Sequence, residues 1–389
     1  MQAKTYDIVN AGPNNRFRAN GKIISNSGRG FQPQNLPSRG LLPDNLIEHG
    51  IELMKCDAED LVFPNVMHLA SSAIRRVLIA APGKKFCISD LANIEGRKVA
   101  WYAGEEWKLQ AFRDFDTGTG HDLYNLAYAR AFRVPVESVT KDQRSIGKIL
   151  ELFLAYGGGC GAFVTGAAGY GFDLEKLADD IYDTLPRDAV LEATDFLEWW
   201  QKQKRDRYGL SDKAFITVDV LKRLWRRSNP KIVQLWSDVQ RAAEHAVVTG
   251  EAIETGLLKF EKKGAWLRVR IASGRYLCYP FAEYDNDDGI SYYGVDQYTR
   301  KWQRIRTHGS KIVENIMQCS ARCVLYDSMP TVEAAGFPIV LHVHDELVTE
   351  TEQGKHVEEL SAIMAAGHNW TEGLPLAAAG FESLRYKKG

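Results

Sequence analysis

The sequence has no long apolar run, and several other signals are missing. No uninterrupted apolar stretch approaches the roughly 18 residues that a membrane-spanning helix needs. The N-terminus, MQAKTYDIVN, lacks the apolar core of a signal peptide. We therefore expect a cytoplasmic protein with no membrane partner. Internal repeats and low-complexity segments are also missing, and a content of 45% hydrophobic and 25% charged residues is ordinary for a folded chain.

Cysteine is scarce and shows no metal-binding spacing. The six cysteines include no C-x-x-C pair, which argues against both a zinc ribbon and a disulfide framework. Cys319 and Cys323 lie one helical turn apart, and a buried helix face explains them better than a metal site does.

Net charge is also nearly absent, at −1, which by itself argues against a nucleic-acid partner. The distribution of charge argues the other way. Residues 201–231 contain ten Lys or Arg and three Asp, interleaved with Tyr208, Phe215 and Trp225. This pattern is typical of a nucleic-acid-binding surface, and the alternative is an ordinary solvated helical surface.

The stretch Pro338 to Glu350, PIVLHVHDELVTE, predicts a β-hairpin with an acidic tip. Apolar and polar residues alternate on both sides of Asp345 and Glu346, which we expect to form the turn. Two adjacent carboxylates in a tight turn repel each other. A bound divalent cation such as Mg²⁺ would offset that repulsion, and the alternative is a solvated acidic tip.

Two further segments carry polar residues in a suggestive pattern. The stretch KKFCISD predicts a strand that delivers Asp90 to its end, just before a helix from Asn93 to Ala103. A second helix is expected from about Thr140 to Tyr156, with Arg144 and Lys148 on one face. Two cations one turn apart suit a chain of phosphates. A plain amphipathic helix is the alternative.

In their order along the chain, these segments resemble the three motifs of the polymerase domain of the family A DNA polymerases, the relatives of bacterial DNA polymerase I. SDLANIEGR resembles the first motif, RSIGKILELFLAYG the second and HVHDE the third. The flanks SGRGFQPQNLPSR and LPLAAAGFESLRY are also similar to family segments, and the latter is similar to phage members. Three ordered motifs are far more specific than any one of them.

The resemblance implies an α+β, right-hand polymerase fold with an antiparallel palm sheet and helical fingers. The palm would comprise residues 1–110 and 266–389, and the fingers residues 111–265. Family members usually carry a thumb and a 3′–5′ exonuclease domain ahead of this region. Little chain precedes the first match here, so we expect the thumb to be truncated or absent and synthesis to proceed without proofreading.

The resemblance also implies a role for each motif residue. The predicted metal ligands for two Mg²⁺ ions are Asp90, Asp345 and the backbone carbonyl of Leu91. Glu346 is a further catalytic carboxylate, and the alternative is that it only supports the other two or is simply solvated. The predicted nucleotide-binding residues are Glu95, Arg144, Lys148, Leu152 and Tyr156. The predicted DNA contacts are Arg29, Gln34, Asn35, Gln318 and His344.

Some positions depart from the family pattern. Leu152 stands where many relatives carry Phe or Tyr, and Tyr124 stands where many carry His. These departures leave individual sugar and primer contacts open but not the class of reaction.

The sequence thus predicts a template-directed DNA polymerase that adds deoxynucleoside triphosphates to primer–template DNA. The alternative is a non-catalytic DNA-binding or assembly fragment of a split polymerase. Such a fragment would need a separate thumb, exonuclease or processivity subunit.

Overall fold

The computed structural model describes residues 16–19, 22–25, 37, 41–169, 171–296 and 299–387. The chain divides into two compact units. The first contains Met1–Asp90, Thr331–Ile363 and Ala379–Gly389, and the second contains Leu91–Pro330 and Met364–Ala378. The first unit therefore draws on both ends of the chain.

In the part of the chain that the structure describes, the β-strands form four small sheets. The strands are β1 (Arg16–Ala19), β2 (Lys22–Ser25), β3 (Lys84–Leu91), β4 (Ile253–Thr255), β5 (Leu258–Lys263), β6 (Trp266–Arg270), β7 (Tyr276–Pro280), β8 (Glu283–Asp285), β9 (Gly289–Val295), β10 (Trp302–Thr307), β11 (Ile339–Val343), β12 (Glu346–Glu352) and β13 (Ala378–Ser383).

Most of the α-helices lie between β3 and β4 in sequence. The helices are α1 (Asp44–Met54), α2 (Val66–Ala73), α3 (Ile94–Ala103), α4 (Glu106–Asp116), α5 (Leu123–Phe132), α6 (Lys141–Leu154), α7 (Cys160–Gly169), α8 (Leu174–Ile181), α9 (Arg187–Lys202), α10 (Asp212–Ser228), α11 (Pro230–Thr249), α12 (Gly309–Ala334) and α13 (Val357–Ala365). Among the described residues, none of these helices is long and apolar enough to cross a bilayer. Mixed helices and antiparallel strands confirm the predicted α+β class.

The first unit contains a four-stranded sheet with the order β11-β12-β3-β13. Both faces of β3 are covered. Phe86 and Ile88 pack in a core with Val348 and Tyr386, and on the opposite face the Ser89 hydroxyl lies 2.8 Å from that of Ser361. This two-sided burial explains why the strand is buried continuously from residue 85 to residue 89.

The second unit contains the long helical region and the two sheets β4-β5-β6-β7 and β10-β9-β8. One large hydrophobic core includes Leu150, Phe215 and the stacked pair Trp225 and Trp236, whose ring centroids lie 6.0 Å apart. β6 and β7 form an antiparallel pair, and the turn between them contains Gly274. Gly274 has a φ of 81°, which only glycine adopts without strain.

Lys98 is an amine buried inside this second unit. Its side chain on α3 is fully buried, and Nζ donates to the Ser320 hydroxyl at 2.9 Å. Nζ also lies 4.2 Å from the ring centroid of Trp370. Burial lowers the pKa of Lys98 to about 7, and the nearby Cys323, Asp327 and Cys319 oppose that shift only in part. Lys98 therefore loses its proton on folding at neutral to alkaline pH.

We expect Lys98→Met to raise the free energy of unfolding by about 1–4 kcal/mol at low pH, because it removes a buried charge. The folded-state pKa lies below the unfolded one, so the unfolded chain binds more protons between about pH 7 and 10.5 and the stability of the unmodified chain rises through that window. The gain from Lys98→Met should thus be largest below pH 7 and shrink toward pH 10. Urea unfolding near pH 6 and near pH 9 measures this, with Lys98→Arg as the control. A gain that does not depend on pH would contradict the prediction.

Candidate active site

Asp90 and Glu346 lie opposite each other on two neighbouring strands. β12 pairs antiparallel with β3 in a register that sets Glu346 opposite Asp90 and Leu347 opposite Ser89. Residues that are directly opposite in an antiparallel pair have their side chains on one face, with Cβ atoms about 5 Å apart. Asp90 is exposed although the residues on either side of it are buried. The first and third motifs therefore meet at one end of this sheet.

The hairpin turn consists of His344 and Asp345, so the predicted turn was wrong by one residue. Val343 pairs with Glu346, which makes Glu346 the first residue of β12. His344 has a φ of 55° and supplies the left-handed conformation that a tight turn requires. The two carboxylates therefore do not share the turn: Asp345 lies in it, and Glu346 is held in the strand.

The three carboxylates form a donor set that suits a hard divalent cation. Like charges on adjacent strands destabilise a sheet, and a cation bound to Asp90, Asp345 and Glu346 would offset this cost. In the described ranges, the metal-binding side chains whose ligand atoms lie closest together do not include these three carboxylates. The ligand atoms of the three carboxylates are therefore not tightly gathered. Mg²⁺ keeps several waters and needs only one or two carboxylates, so a donor set that is not tightly gathered can still hold it. Leu91 is the last residue of β3, and its side chain is buried.

A different set of side chains, His356, Glu358 and Glu382, has ligand atoms within 4.8 Å of one another. Glu382 in this set accepts a hydrogen bond from Lys85 Nζ at 2.6 Å. That hydrogen bond lowers the pKa of the Glu382 carboxyl. The set is therefore already neutralised in part by a protein cation, which makes it a weaker metal candidate than the acidic residues at the hairpin.

The second motif forms α6, with its charged residues outside the core. The helix begins with a capping box in which Gln143 N donates to Thr140 Oγ1 at 3.3 Å and Thr140 N donates to Gln143 Oε1 at 2.9 Å. One side of the helix is buried through Ile149 and Leu150. Arg144 and Lys148 are only partly buried, and Leu152 is 39% exposed. As predicted, Arg144 and Lys148 lie outside the buried side of the helix.

Glu95 and Tyr156 are in contact within the second unit. The Tyr156 hydroxyl donates to Glu95 Oε2 at 3.1 Å. Burial and then the charge of Glu95 raise the pKa of Tyr156 well above its usual value, so the phenol remains a hydrogen-bond donor. The sequence placed both residues in the nucleotide site but did not predict that one would hold the other.

Arg144 has a partner that the sequence did not predict. Asp122 accepts a hydrogen bond from Arg144 Nη2 at 2.9 Å. The same carboxylate caps α5, where it accepts from the backbone of Tyr124 at 2.9 Å. The Arg144 guanidinium also lies 5.2 Å from the ring centroid of Tyr124. The Asp-x-Tyr sequence before a helical stretch was the only available signal for this arrangement.

The predicted DNA contacts are only partly described. Gln318 is exposed on α12, where its side-chain amide donates to Glu314 at 3.4 Å. His344 is exposed in the hairpin turn. Arg29, Gln34 and Asn35 lie outside the described residues.

Half of the ten basic residues in the stretch 201–231 form ion pairs with acidic side chains. On α10, Arg227 lies 2.7 Å from Asp188 and Arg223 lies 2.9 Å from Glu192, both of which are on α9. Lys213 also pairs, with Asp179 at 2.7 Å. For these residues, the ion pairs favour the alternative interpretation of an ordinary helical surface.

Comparison with known proteins finds DNA polymerases that are similar to this chain. The chain is 33% identical over 373 residues to a DNA polymerase of Bacillus phage SP02, an alignment that covers 93% of the chain and 50% of that relative. It is also 36% identical over 86 residues to DNA polymerase I of Pseudomonas aeruginosa, covering 22% of the chain and 9% of the relative. These similarities confirm the resemblance to the polymerase domain of the family A DNA polymerases. The chain spans about half the length of the phage relative.

The chain was also compared with protein-family models and with solved structures. No protein-family model matches the chain. A solved structure, the POL domain of Pol1 from M. smegmatis in complex with DNA primer-template and dNTP, aligns with 81% of this chain and 42% of that chain. The sequence identity is 18% and the TM-score is 0.48.

Proposed function

We propose that the chain is the catalytic part of a DNA polymerase that extends a primer 3′-end, directed by a template, through two-metal-ion phosphoryl transfer. The observation that carries this proposal is the strand register that sets Glu346 opposite Asp90 and next to Asp345. Two motifs more than 250 residues apart thereby bring their carboxylates to one sheet end. In this proposal the sheet β11-β12-β3-β13 belongs to the palm, and the helices within 111–265 form the fingers.

Asp90 and Asp345 would hold the ions, with the carbonyl of Leu91 as a further ligand and Glu346 beside them. When bound, Mg²⁺ would lower the pKa of the primer 3′-hydroxyl and stabilise the negative charge of the pyrophosphate leaving group. The carboxylates fix the position at which these charges develop. The expected lack of proofreading stays a prediction.

The residues of α6 and its neighbours would bind the incoming nucleotide. Arg144 and Lys148 offer cations to the triphosphate. Asp122 holds the Arg144 side chain in place before the nucleotide arrives. Tyr156, fixed by its hydrogen bond to Glu95, offers an aromatic face near the sugar and base. Glu95 would fill the space that a ribose 2′-hydroxyl needs and so reject ribonucleotides.

Replacement of Glu95 tests this selection. We expect Glu95→Ala to raise the relative efficiency of ribonucleotide insertion by about 10–100-fold, because it opens the space beside the sugar. Tyr156→Phe is the matched control, since it removes the hydrogen bond at 3.1 Å but keeps the Glu95 side chain. The ratio of kcat/KM for a ribonucleotide and its deoxynucleotide, measured by single insertion, gives the result. An equal effect in both variants would mean that the hydrogen bond, and not the bulk of Glu95, controls selection.

Primer extension tests the proposed function as a whole. The chain is incubated with a short primed DNA template, Mg²⁺ and all four deoxynucleotides, in parallel with Asp345→Ala. Extension that follows the template and disappears in the variant supports the proposal. Binding of primed DNA with no extension would instead support the non-catalytic fragment of a split polymerase.

A further inference from the structure

Glu346 is held by a buried tyrosine from the last residues of the chain. The Tyr386 hydroxyl donates to Glu346 Oε1 at 2.8 Å. Tyr386 is 1% exposed, and its ring packs in the core formed with Phe86, Ile88 and Val348. A side chain fixed in this way cannot follow a moving carboxylate, so it defines where Glu346 Oε1 lies.

Arg75 supports Tyr386 from the other side. Arg75 Nη1 donates to the Tyr386 hydroxyl oxygen at 3.2 Å, and Arg75 Nε donates to the backbone carbonyl of Pro37 at 3.0 Å. The Arg75 side chain is buried. The phenol therefore accepts from a cation and donates to a carboxylate, and a hydrogen bond polarised in this direction is strengthened.

The backbone around Tyr386 is anchored as well. Its N–H donates to the carbonyl of Leu78 at 2.9 Å, and Ala80 N donates to the carbonyl of Leu384 at the same distance. Arg385 adds a hydrogen bond from its guanidinium to the carbonyl of Arg76 at 3.0 Å. The C-terminal segment is therefore tied to the chain that leads into β3, the strand that carries Asp90.

We propose that Tyr386, supported by Arg75, is a positioning residue that holds Glu346 beside Asp90 and so tunes the affinity of the acidic site for a divalent cation. This inference rests on the proposed function, in which that site binds the catalytic metal. Groups that orient a metal ligand from behind commonly change metal affinity by 10-fold or more when removed. The Leu-Arg-Tyr sequence at residues 384–386 therefore helps to position a carboxylate of the acidic site.

The test measures Mn²⁺ binding to the chain alone, from the electron paramagnetic resonance signal of the unbound ion. We expect Tyr386→Phe to weaken Mn²⁺ binding about 10-fold while it keeps the ring in the core. Tyr326→Phe is the matched control, because that tyrosine also accepts from an arginine, Arg322, at 2.7 Å but lies on α12. Thermal melting confirms that each variant is folded.

A double-mutant cycle with Glu346→Gln separates positioning from a general structural effect. If Tyr386 acts through Glu346, Tyr386→Phe should cause no further loss in the Glu346→Gln background. An unchanged Mn²⁺ affinity in Tyr386→Phe, or an equal loss in both backgrounds, would overturn the inference. If Asp90→Asn and Glu346→Gln also leave Mn²⁺ binding unchanged, the proposed metal site itself fails. If those two weaken binding and Tyr386→Phe does not, only the positioning role fails.

Discussion

Asp90→Asn is expected to lower kcat for nucleotide addition by about 10³-fold or more, the largest effect that we predict for a single residue. The substitution keeps the size of the side chain and removes one negative charge from the site. In the proposed function, metal binding would lose a charged ligand, and the charge that develops at the reacting phosphate would lose its compensation. Binding of primed DNA should change little, because a carboxylate repels the phosphates rather than binding them.

Glu352→Gln is the matched control for that experiment. Glu352 lies at the other end of β12, is exposed, and is opposite Lys84 in the same strand pairing. Its replacement removes the same charge from the same sheet and should leave kcat within about two-fold. Rapid-quench single-turnover kinetics separate the chemical step from product release. If Asp90→Asn retained more than about a tenth of the rate, Asp90 would not be a metal ligand.

Glu151→Ala is expected to lower the free energy of unfolding by about 3–5 kcal/mol, because it leaves the Lys108 ammonium buried without its partner. Lys108 Nζ donates to Glu151 Oε2 at 2.7 Å, and both side chains are buried. Trp225 Nε1 donates to the other Glu151 oxygen at 3.0 Å. The contact fixes the buried side of α6, whose outer side carries Arg144 and Lys148.

Two further variants make this prediction specific. The double replacement Lys108→Met with Glu151→Met should recover most of the loss, since two apolar side chains can replace a buried ion pair at little cost. The exposed pair of Arg113 and Glu106, at 2.6 Å, is the matched surface control, and its removal should cost less than about 1 kcal/mol. Urea unfolding followed by tryptophan fluorescence measures all of these. A loss at Glu151 no larger than that of the surface pair would contradict the account.

The sequence predicted the elements whose pattern is strong. The hairpin around Asp345, the strand that ends at Asp90 and the helix that carries Arg144 and Lys148 each combine a clear period with a distinct boundary. For α6, the boundary is the Thr140 capping box. The α+β class followed from these elements and from the resemblance to a family.

Other strands could not be predicted because their pattern is weak. β9 and β10 mix tyrosine, arginine and exposed residues, and their pairing depends on a partner strand rather than on a local period. The acidic run Asp285–Asp288 has no periodic pattern that indicates a strand. In the structure, Asp285 ends β8 and its carboxylate accepts from the backbone of Asp287 at 2.9 Å and Asp288 at 3.1 Å. The run is therefore the turn between two paired strands.

The sequence also did not predict which side chains hold the candidate site residues in place. Asp122 and Arg144 are separated by a whole helix, and Tyr386 and Glu346 by 40 residues. Contacts of this kind follow from packing, which a periodic pattern does not encode. The same limit explains the one-residue error in the turn, because the register of a hairpin depends on which residues pair.

Cleavage by iron tests most directly whether the carboxylates of β3 and of the hairpin share one metal site. Fe²⁺ that replaces Mg²⁺ generates hydroxyl radicals with peroxide and ascorbate, and these cut the backbone close to the bound ion. We predict cuts near Asp90 and near Asp345 that both disappear in Asp90→Asn and persist in Glu352→Gln. Cuts at only one of the two segments, or cuts that survive Asp90→Asn, would contradict a site built from both strands.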